Sequence, residues 1–471
     1  MGGADRLYLR TTIDGLPDDV LLETFGFYLD KDDADEFDKY YNYDEWQTLV
    51  HVCRRWRCIV FASPRRLDLK LYCTRQRSVN SKTLDIWPAL PIVISALDMD
   101  SEEDVTNVIS ALRHHNRVCK IFYANRQFGD SFLGNFAAIH KPFPELTSLT
   151  LISHGPNVPV LPDSFLGGSA PCLRSLNLNG IPYPSIGNLL SSTTNLVQLW
   201  LWDIPRSGYI APETIVPCLS MLPRLKSLLL RFQYPQSWAQ RQSRHPPPLT
   251  RVVFPNLTYL DFYGDIEYLE VILSQIETPV LDEAVFCFFN QLVFDTPLLG
   301  HFIHRTEAFM TIHTARVQFF RDNIAVTLPV LGETPDDDHV ALHFCISCKP
   351  LDWQLSALAQ VLNSSLSSLQ SVESLEIAVD NEDWQGEIEV IQWQELFHPF
   401  TFVKNVALDK SARLIAPALQ ELVGERATEV LPTLQDLFLT TSWPPSGPVK
   451  EGIKQFISTR QLHGHPITVH Y

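Results

Sequence analysis

From residue 143 onward the chain repeats one arrangement of positions: apolar, two others, apolar, one other, apolar. It stands in FPELTSLTL (143–151), APCLRSLNL (170–178), TTNLVQLWL (193–201), LPRLKSLLL (222–230), FPNLTYLDF (254–262) and LPTLQDLFL (431–439), with weaker echoes in VESLEIAV (372–379) and FVKNVALD (402–409). At 45% hydrophobic residues, three such positions coincide in about one register in ten, so the spacing alone is a weak signal. Two regularities strengthen it. Proline stands two residues before the first leucine in five of the six full phrases (Pro144, Pro171, Pro223, Pro255, Pro432), and the first four intervals between leading leucines are 27, 23, 29 and 32 residues. Each phrase predicts a short strand with its leucines turned inward, then a returning helix such as IGNLLSSTTNL (186–196) or PETIVPCLSML (212–222). No such unit buries its apolar side alone, so neighbours stack and their strands form a parallel sheet.

From about residue 280 the pattern becomes a looser alternation. VALHFCISC (340–348) precedes WQLSALAQVLNSSLSSL (353–369), and VKNVALD (403–409) precedes ARLIAPALQELVGERA (412–427). This is still strand then helix, and it predicts degenerate copies of the same unit. QYPQSWAQRQSRHPPPL (233–249) and GETPDDD (332–338) read as loops. The phrases resemble leucine-rich repeats, although the Asn or Cys ladder position is mostly missing and Gly180 and Gly264 follow only two copies. The resemblance implies an α/β solenoid with a concave sheet face. On that face it places Trp200, Trp202, Arg231, Tyr259 and Tyr263 on neighbouring rungs, residue types that dominate binding hot spots. An alternative use of the two tryptophans is packing beneath the 233–249 segment.

The N-terminal pattern is helical. In DGLPDDVLLETFGFY (14–28), Pro17 suits the first helical position, Asp18 and Asp19 suit the positive end of the helix dipole, and Val20, Leu21, Thr24, Phe25 and Tyr28 share a face. A second helix is predicted in DEWQTLVHVCRRWRCIVFAS (44–63), striped by Trp46, Leu49, Val50, Cys53 and Trp56. Two helices in about fifty residues make too small a core to stand alone. GLPDDVLLETF with the later LVHVCRRWRCIVFASP resembles the F-box, over roughly residues 14–62. SPRRLDLKLYCTRQ with LDIWPALPIVI resembles the segment C-terminal to the F-box in fungal-type members. The resemblance implies a Skp-type adaptor as partner and, through it, a cullin. The family's adaptor contacts fall on Leu16, Pro17, Val20 and Leu21, then on Leu49, Val52, Cys53 and Trp56. Residues 1–75 would form the F-box module, with an acidic insertion at 29–45, and 76–471 the repeat domain. The insertion lacks the glycine and twelfth-position glutamate of a calcium loop. Arg54, Arg55, Arg57, Arg65, Arg66, Lys70, Arg75 and Arg77 read as a solvated basic face rather than a nucleic-acid patch.

Composition narrows the function further. A formal charge of −17 opposes sequence-independent nucleic-acid binding. The nine cysteines are scattered and odd in number, which fits reduced thiols of the cytoplasm or nucleus. The start of the chain has no apolar signal core, and its richest apolar stretch, 84–97, is short and holds Pro88 and Pro91, so no membrane span is expected. Phosphate-loop, dinucleotide and nucleophile-elbow motifs are missing. Cys345-x-x-Cys348, His301-x-x-His304 and His463-x-His465 lack companions at metal-ligand spacing. The expectation is a non-enzymatic, cofactor-free receptor subunit of a Skp–cullin–F-box ubiquitin ligase that holds a protein target on its repeat surface. The alternative is a stand-alone leucine-rich-repeat scaffold or inhibitor capped by the helical module.

Overall fold

The structure, a computed structural model, describes residues 13–29, 45–74, 89–97, 102–125, 140–153, 155, 158–235, 251–291, 293–330, 339–347, 351–365, 371–379, 390–409, 411–422, 429–439 and 447–470. The acidic insertion between the first two helices, most of the 233–249 segment, the 332–338 segment, Arg75, Arg77 and Cys348 lie outside the described residues. The chain divides into two compact units, Met1–Ser175 and Leu176–Tyr471.

The first unit begins with helices α1 (Asp18–Leu29), α2 (Glu45–Val52) and α3 (Arg54–Ala62). The single helix expected over 44–63 is therefore two. Cys53 breaks it in an extended conformation (φ −155°, ψ 170°), and its sulfur accepts the Trp56 N–H at 3.4 Å, capping α3. Strands β1 (Leu71–Cys73), β2 (Ile92–Leu97), β3 (Val118–Asn125) and β4 (Ser148–Ser153) come next, parallel and in that order, with α4 (Glu102–Leu112) between β2 and β3. One compact unit holds both the helical module and these first strands. Trp46 explains the join: it is buried, meets Phe61 edge-on at 6.0 Å, and donates its indole N–H to the Lys70 carbonyl at 3.1 Å, one residue before β1.

Each leucine phrase opens in a β-turn. The leading leucine donates back three residues, from Leu146 to Phe143, Leu173 to Ala170, Leu225 to Leu222, Leu257 to Phe254 and Leu434 to Leu431. Proline two residues earlier therefore sits at the second turn position, where its fixed φ is already correct. The exception, Leu196 to Thr193, uses the Thr193 hydroxyl bonded to the Leu190 carbonyl at 3.1 Å instead. The three apolar positions of all six phrases, and of both echoes, are buried. The proline and the leucines are one device: the turn aims the strand and the leucines close the core beneath it.

In the second unit the main sheet runs β5 (Ser175–Asn179), β6 (Gln198–Ile204), β7 (Ser227–Phe232), β9 (Tyr259–Gly264), β11 (Glu283–Phe289), β14 (His339–Ser347), β13 (Asn323–Val330), β12 (Thr314–Phe319), β15 (Ser374–Val379), β16 (Asn405–Leu408), β17 (Asp436–Leu439) and β18 (Thr468–His470). A two-stranded pair joins β8 (Val252–Val253) and β10 (Ile276–Glu277). Helices α5 (Ile186–Leu190), α6 (Pro212–Ser220), α7 (Ile266–Gln275), α8 (Pro297–Arg305), α9 (Leu351–Ser365), α10 (Val390–Phe397), α11 (Ala412–Gln420) and α12 (Pro448–Leu462) pack successively against one another. Neighbouring helices also complete one another's ends. The Glu270 carboxylate of α7 accepts the Leu298 and Leu299 N–H groups at 2.9 and 2.7 Å, satisfying orphan donors at the start of α8. This is a mixed α/β fold with a large, mainly parallel sheet and returning helices.

The parallel expectation fails at β13, which is antiparallel to both β12 and β14. Phe320 donates to the Asn323 carbonyl at 2.9 Å across a tight turn, too short for the crossover that a parallel neighbour requires. Gly180, with φ +69°, supplies a left-handed residue after β5 and donates to the Trp202 carbonyl at 2.9 Å. At Gly264 a Cβ would come within 2.7 Å of the Phe262 ring, so glycine there admits the Phe232–Phe262–Tyr268 aromatic cluster.

Candidate protein-binding surfaces

The helical module holds its apolar groups in two ways. Leu21 and Phe25 of α1 are buried, and Trp56 packs on Phe25 with ring centroids 4.6 Å apart. Leu49 and Val50 of α2 are buried as well. Of the expected adaptor contacts, Leu21 and Leu49 thus lie within the module, shaping its surface from beneath, because their i, i+4 faces are needed to pack three short helices. Leu16, Cys53 and Trp56 are half-buried, and Pro17, Val20 and Val52 are exposed. The sequence reading missed Phe27, which is 80% exposed and lies two helical turns along α1 from Val20. Ile13, Tyr28 and Val52 are also exposed large apolar groups. The available signal was the i, i+7 spacing of Val20 and Phe27, which puts them on one side of α1.

Arg55 fixes the start of α1. Its guanidinium donates to Asp18 through Nε at 3.1 Å and Nη2 at 2.6 Å, and Nη2 also donates to the Leu16 carbonyl. Pro17 is one residue ahead of α1, its carbonyl accepting the first helical bond from Leu21 at 3.1 Å. Arg57 donates to the Val50 carbonyl near the end of α2 at 2.9 Å, Arg66 pairs with Glu23, and Lys70 pairs with Asp68. Of the basic run read from sequence as a solvated face, Arg55, Arg57, Arg66 and Lys70 are engaged by helix ends or carboxylates.

On the sheet, the register brings the five expected target-facing residues together. Gln198 lies opposite Ser227 and Trp200 opposite Leu229; Ser227, Leu229 and Arg231 lie opposite Tyr259, Asp261 and Tyr263. Trp200, Trp202, Arg231, Tyr259 and Tyr263 are all half-buried. The indoles of Trp200 and Trp202 meet edge-on at 6.5 Å, and Trp200 donates to the Ser227 hydroxyl at 2.8 Å. The Arg231 guanidinium lies 4.4 Å from the Trp202 ring centroid and donates to Asp261 through Nε at 2.8 Å. Tyr259 donates to the same carboxylate at 3.0 Å. Tyr263 shares a hydrogen bond with Ser347 at 2.9 Å and meets Phe289 edge-on at 4.7 Å. Asp261 has a side chain with no exposure, against 30% for Arg231, so it is the hidden anchor of this patch. Sequence reading passed over it, since a lone Asp between aromatics carries no pattern. Burial raises the Tyr259 phenol above its ordinary range, reinforced by the Asp261 charge. Further along, the face carries an ion pair of Arg316 with Glu376 at 2.7 Å and a hydrogen-bonded contact of His470 with Asp436 at 2.8 Å.

No family model and no curated protein matches the chain. Among solved structures, it is similar to a chain of the yeast Rad7–Elc1 complex, at 13% identity over 92% of this chain and 91% of that one, with a TM-score of 0.30. It is also similar to a leucine-rich-repeat protein of Leptospira interrogans, at 13% identity over 88% of this chain and 98% of that one, with a TM-score of 0.24. Among the described residues no helix is long and apolar enough to cross a membrane.

Proposed function

We propose that this chain is a non-catalytic substrate receptor of a Skp–cullin–F-box ubiquitin ligase. The helical module docks a Skp-type adaptor, and through it a cullin, while the sheet face around Trp200, Trp202, Arg231, Tyr259 and Tyr263 holds a protein target. Such a receptor acts by raising the target's effective concentration beside the conjugating enzyme. The observation that carries the reading is α1 itself. It comes directly after Leu16-Pro17, begins with Asp18 and Asp19, and is clamped by Arg55 of the Cys-Arg-Arg-Trp segment. It presents Val20 and Phe27 to solvent, and Ile13 and Val52 of the same module are exposed as well. A set of apolar groups of this kind is unfavourable on a free surface and is explained by a partner's apolar groove.

The test is binding of a purified Skp-type adaptor to the full chain and to a Val20→Asp/Phe27→Asp variant. Loss of apolar anchors at an interface centre weakens binding by about thirtyfold or more. Equal affinity for both proteins sinks the docking surface. No adaptor binding by the unaltered chain sinks the ligase reading and leaves the scaffold alternative.

A further inference from the structure

Two thiols face each other within the sheet. Cys287 of β11 and Cys345 of β14 are register partners on adjacent parallel strands. Register partners on neighbouring strands are separated by about 4.8 Å, inside the Cα range that a disulfide spans. Both cysteines are outside any disulfide and incompletely buried. His343 lies two residues before Cys345 on the same face, its ring held at 3.0 Å from the Thr327 hydroxyl. Arg231 and Asp261 complete the charged surroundings, and Tyr263 is the register partner of Cys287 on β9.

We propose that Cys287 and Cys345 form a peroxide-sensitive dithiol that closes to an intrachain disulfide. Hydrogen bonding from Cys287, then the neighbouring His343, holds the Cys345 thiol below its ordinary range despite burial, whereas Cys287 is pushed up. Cys345, the thiol that shares its strand face with His343, is assigned as the attacking sulfur. Its sulfur bonds to one oxygen of hydrogen peroxide, the O–O bond breaks, and hydroxide leaves, taking up a proton to become water. The resulting sulfenic acid no longer holds the Cys287 proton. The Cys287 sulfur then attacks the Cys345 sulfur, the S–O bond breaks, and the hydroxyl departs with that proton as a second water. Two thiols lose two electrons in all, and one peroxide gains them.

The full chain is exposed to hydrogen peroxide, its remaining thiols are alkylated, and its peptides are identified by mass spectrometry. The expected result is a Cys287–Cys345 linked peptide, reversible by dithiothreitol, formed ahead of oxidation at the exposed Cys58 and Cys172. In a Cys287→Ser variant Cys345 stops at a sulfenic acid that dimedone traps, and in Cys345→Ser the Cys287 thiol stays reduced. Oxidation of Cys58 and Cys172 while Cys345 still alkylates overturns the proposal, as does a trapped Cys345 sulfenic acid in the unaltered chain with no linked peptide.

Discussion

The α1 surface and the β6–β9 face both offer aromatic side chains to solvent, but they hold them differently. Phe27 stands 80% exposed and has no polar atom with which to be oriented. Trp200, Trp202 and Tyr259 are half-buried and tied in place, by Ser227, by the Arg231 guanidinium and by Asp261. The first surface is a loose apolar stripe that gains by being covered. The second is already organised, so a ligand would lose little entropy in ordering it. Under the proposed function, a constant adaptor and a selected target would place those different demands on the two surfaces.

Substitutions separate the two arrangements, and the largest effect belongs beneath α1. Leu21→Ala should destabilise the module by about 3–5 kcal/mol through the lost core volume, read as a lower unfolding midpoint in denaturant. Asp261→Ala should cost about 2–3 kcal/mol, below the range for a fully buried pair because Arg231 keeps 30% exposure. An Asp261→Ala protein as stable as the parent would mean the sheet patch is not anchored from within. Arg55→Ala should remove about 1 kcal/mol, less in high salt, by releasing the start of α1. Trp200→Phe keeps the ring but loses the bond to Ser227, an expected change of about 0.5–1 kcal/mol in the same measurement. Phe27→Ala should shift stability by no more than about 0.5 kcal/mol, since most of its surface is already in water. A larger loss would show that the stripe is core and erase the contrast.

The repeats were legible because two independent signals coincided at five of the six full phrases. At Pro255 and Leu257 the turn chemistry and the apolar spacing point to the same strand start, and the structure begins β9 two residues later. Strand β11 carries the same spacing as Leu281, Ala284 and Phe286, all buried, yet alanine and phenylalanine in place of leucine hid it. The reversed β13 was illegible for another reason: strand direction is set by connection length, not by the apolar pattern, and Asn323–Val330 reads the same either way. On the module, helical spacing found the buried residues but carried Trp46, Cys53 and Trp56 through a break as though on one helix. A capping sulfur at Cys53 leaves no mark in hydrophobic periodicity. The linkage of Arg231, Asp261 and Tyr259 joins two strands across about thirty positions of sequence, beyond the reach of any local pattern.

The reversed strand also bears on the order in which the second unit assembles. Parallel neighbours such as β7 and β9 meet only after a long excursion of chain, whereas β12 and β13 are joined by a tight turn. Hairpins close in about 1–10 μs, and every lengthening of a loop adds closure entropy before any pairing offsets it. The β12–β13 ribbon is therefore the template in the unit that forms with least entropy lost, with one edge open toward β14 and the other toward β15. Growth from it proceeds in both directions along the array. An internal seed of this kind makes Val317 and Val326, facing each other across the hairpin, the positions where substitutions should slow folding rather than speed unfolding.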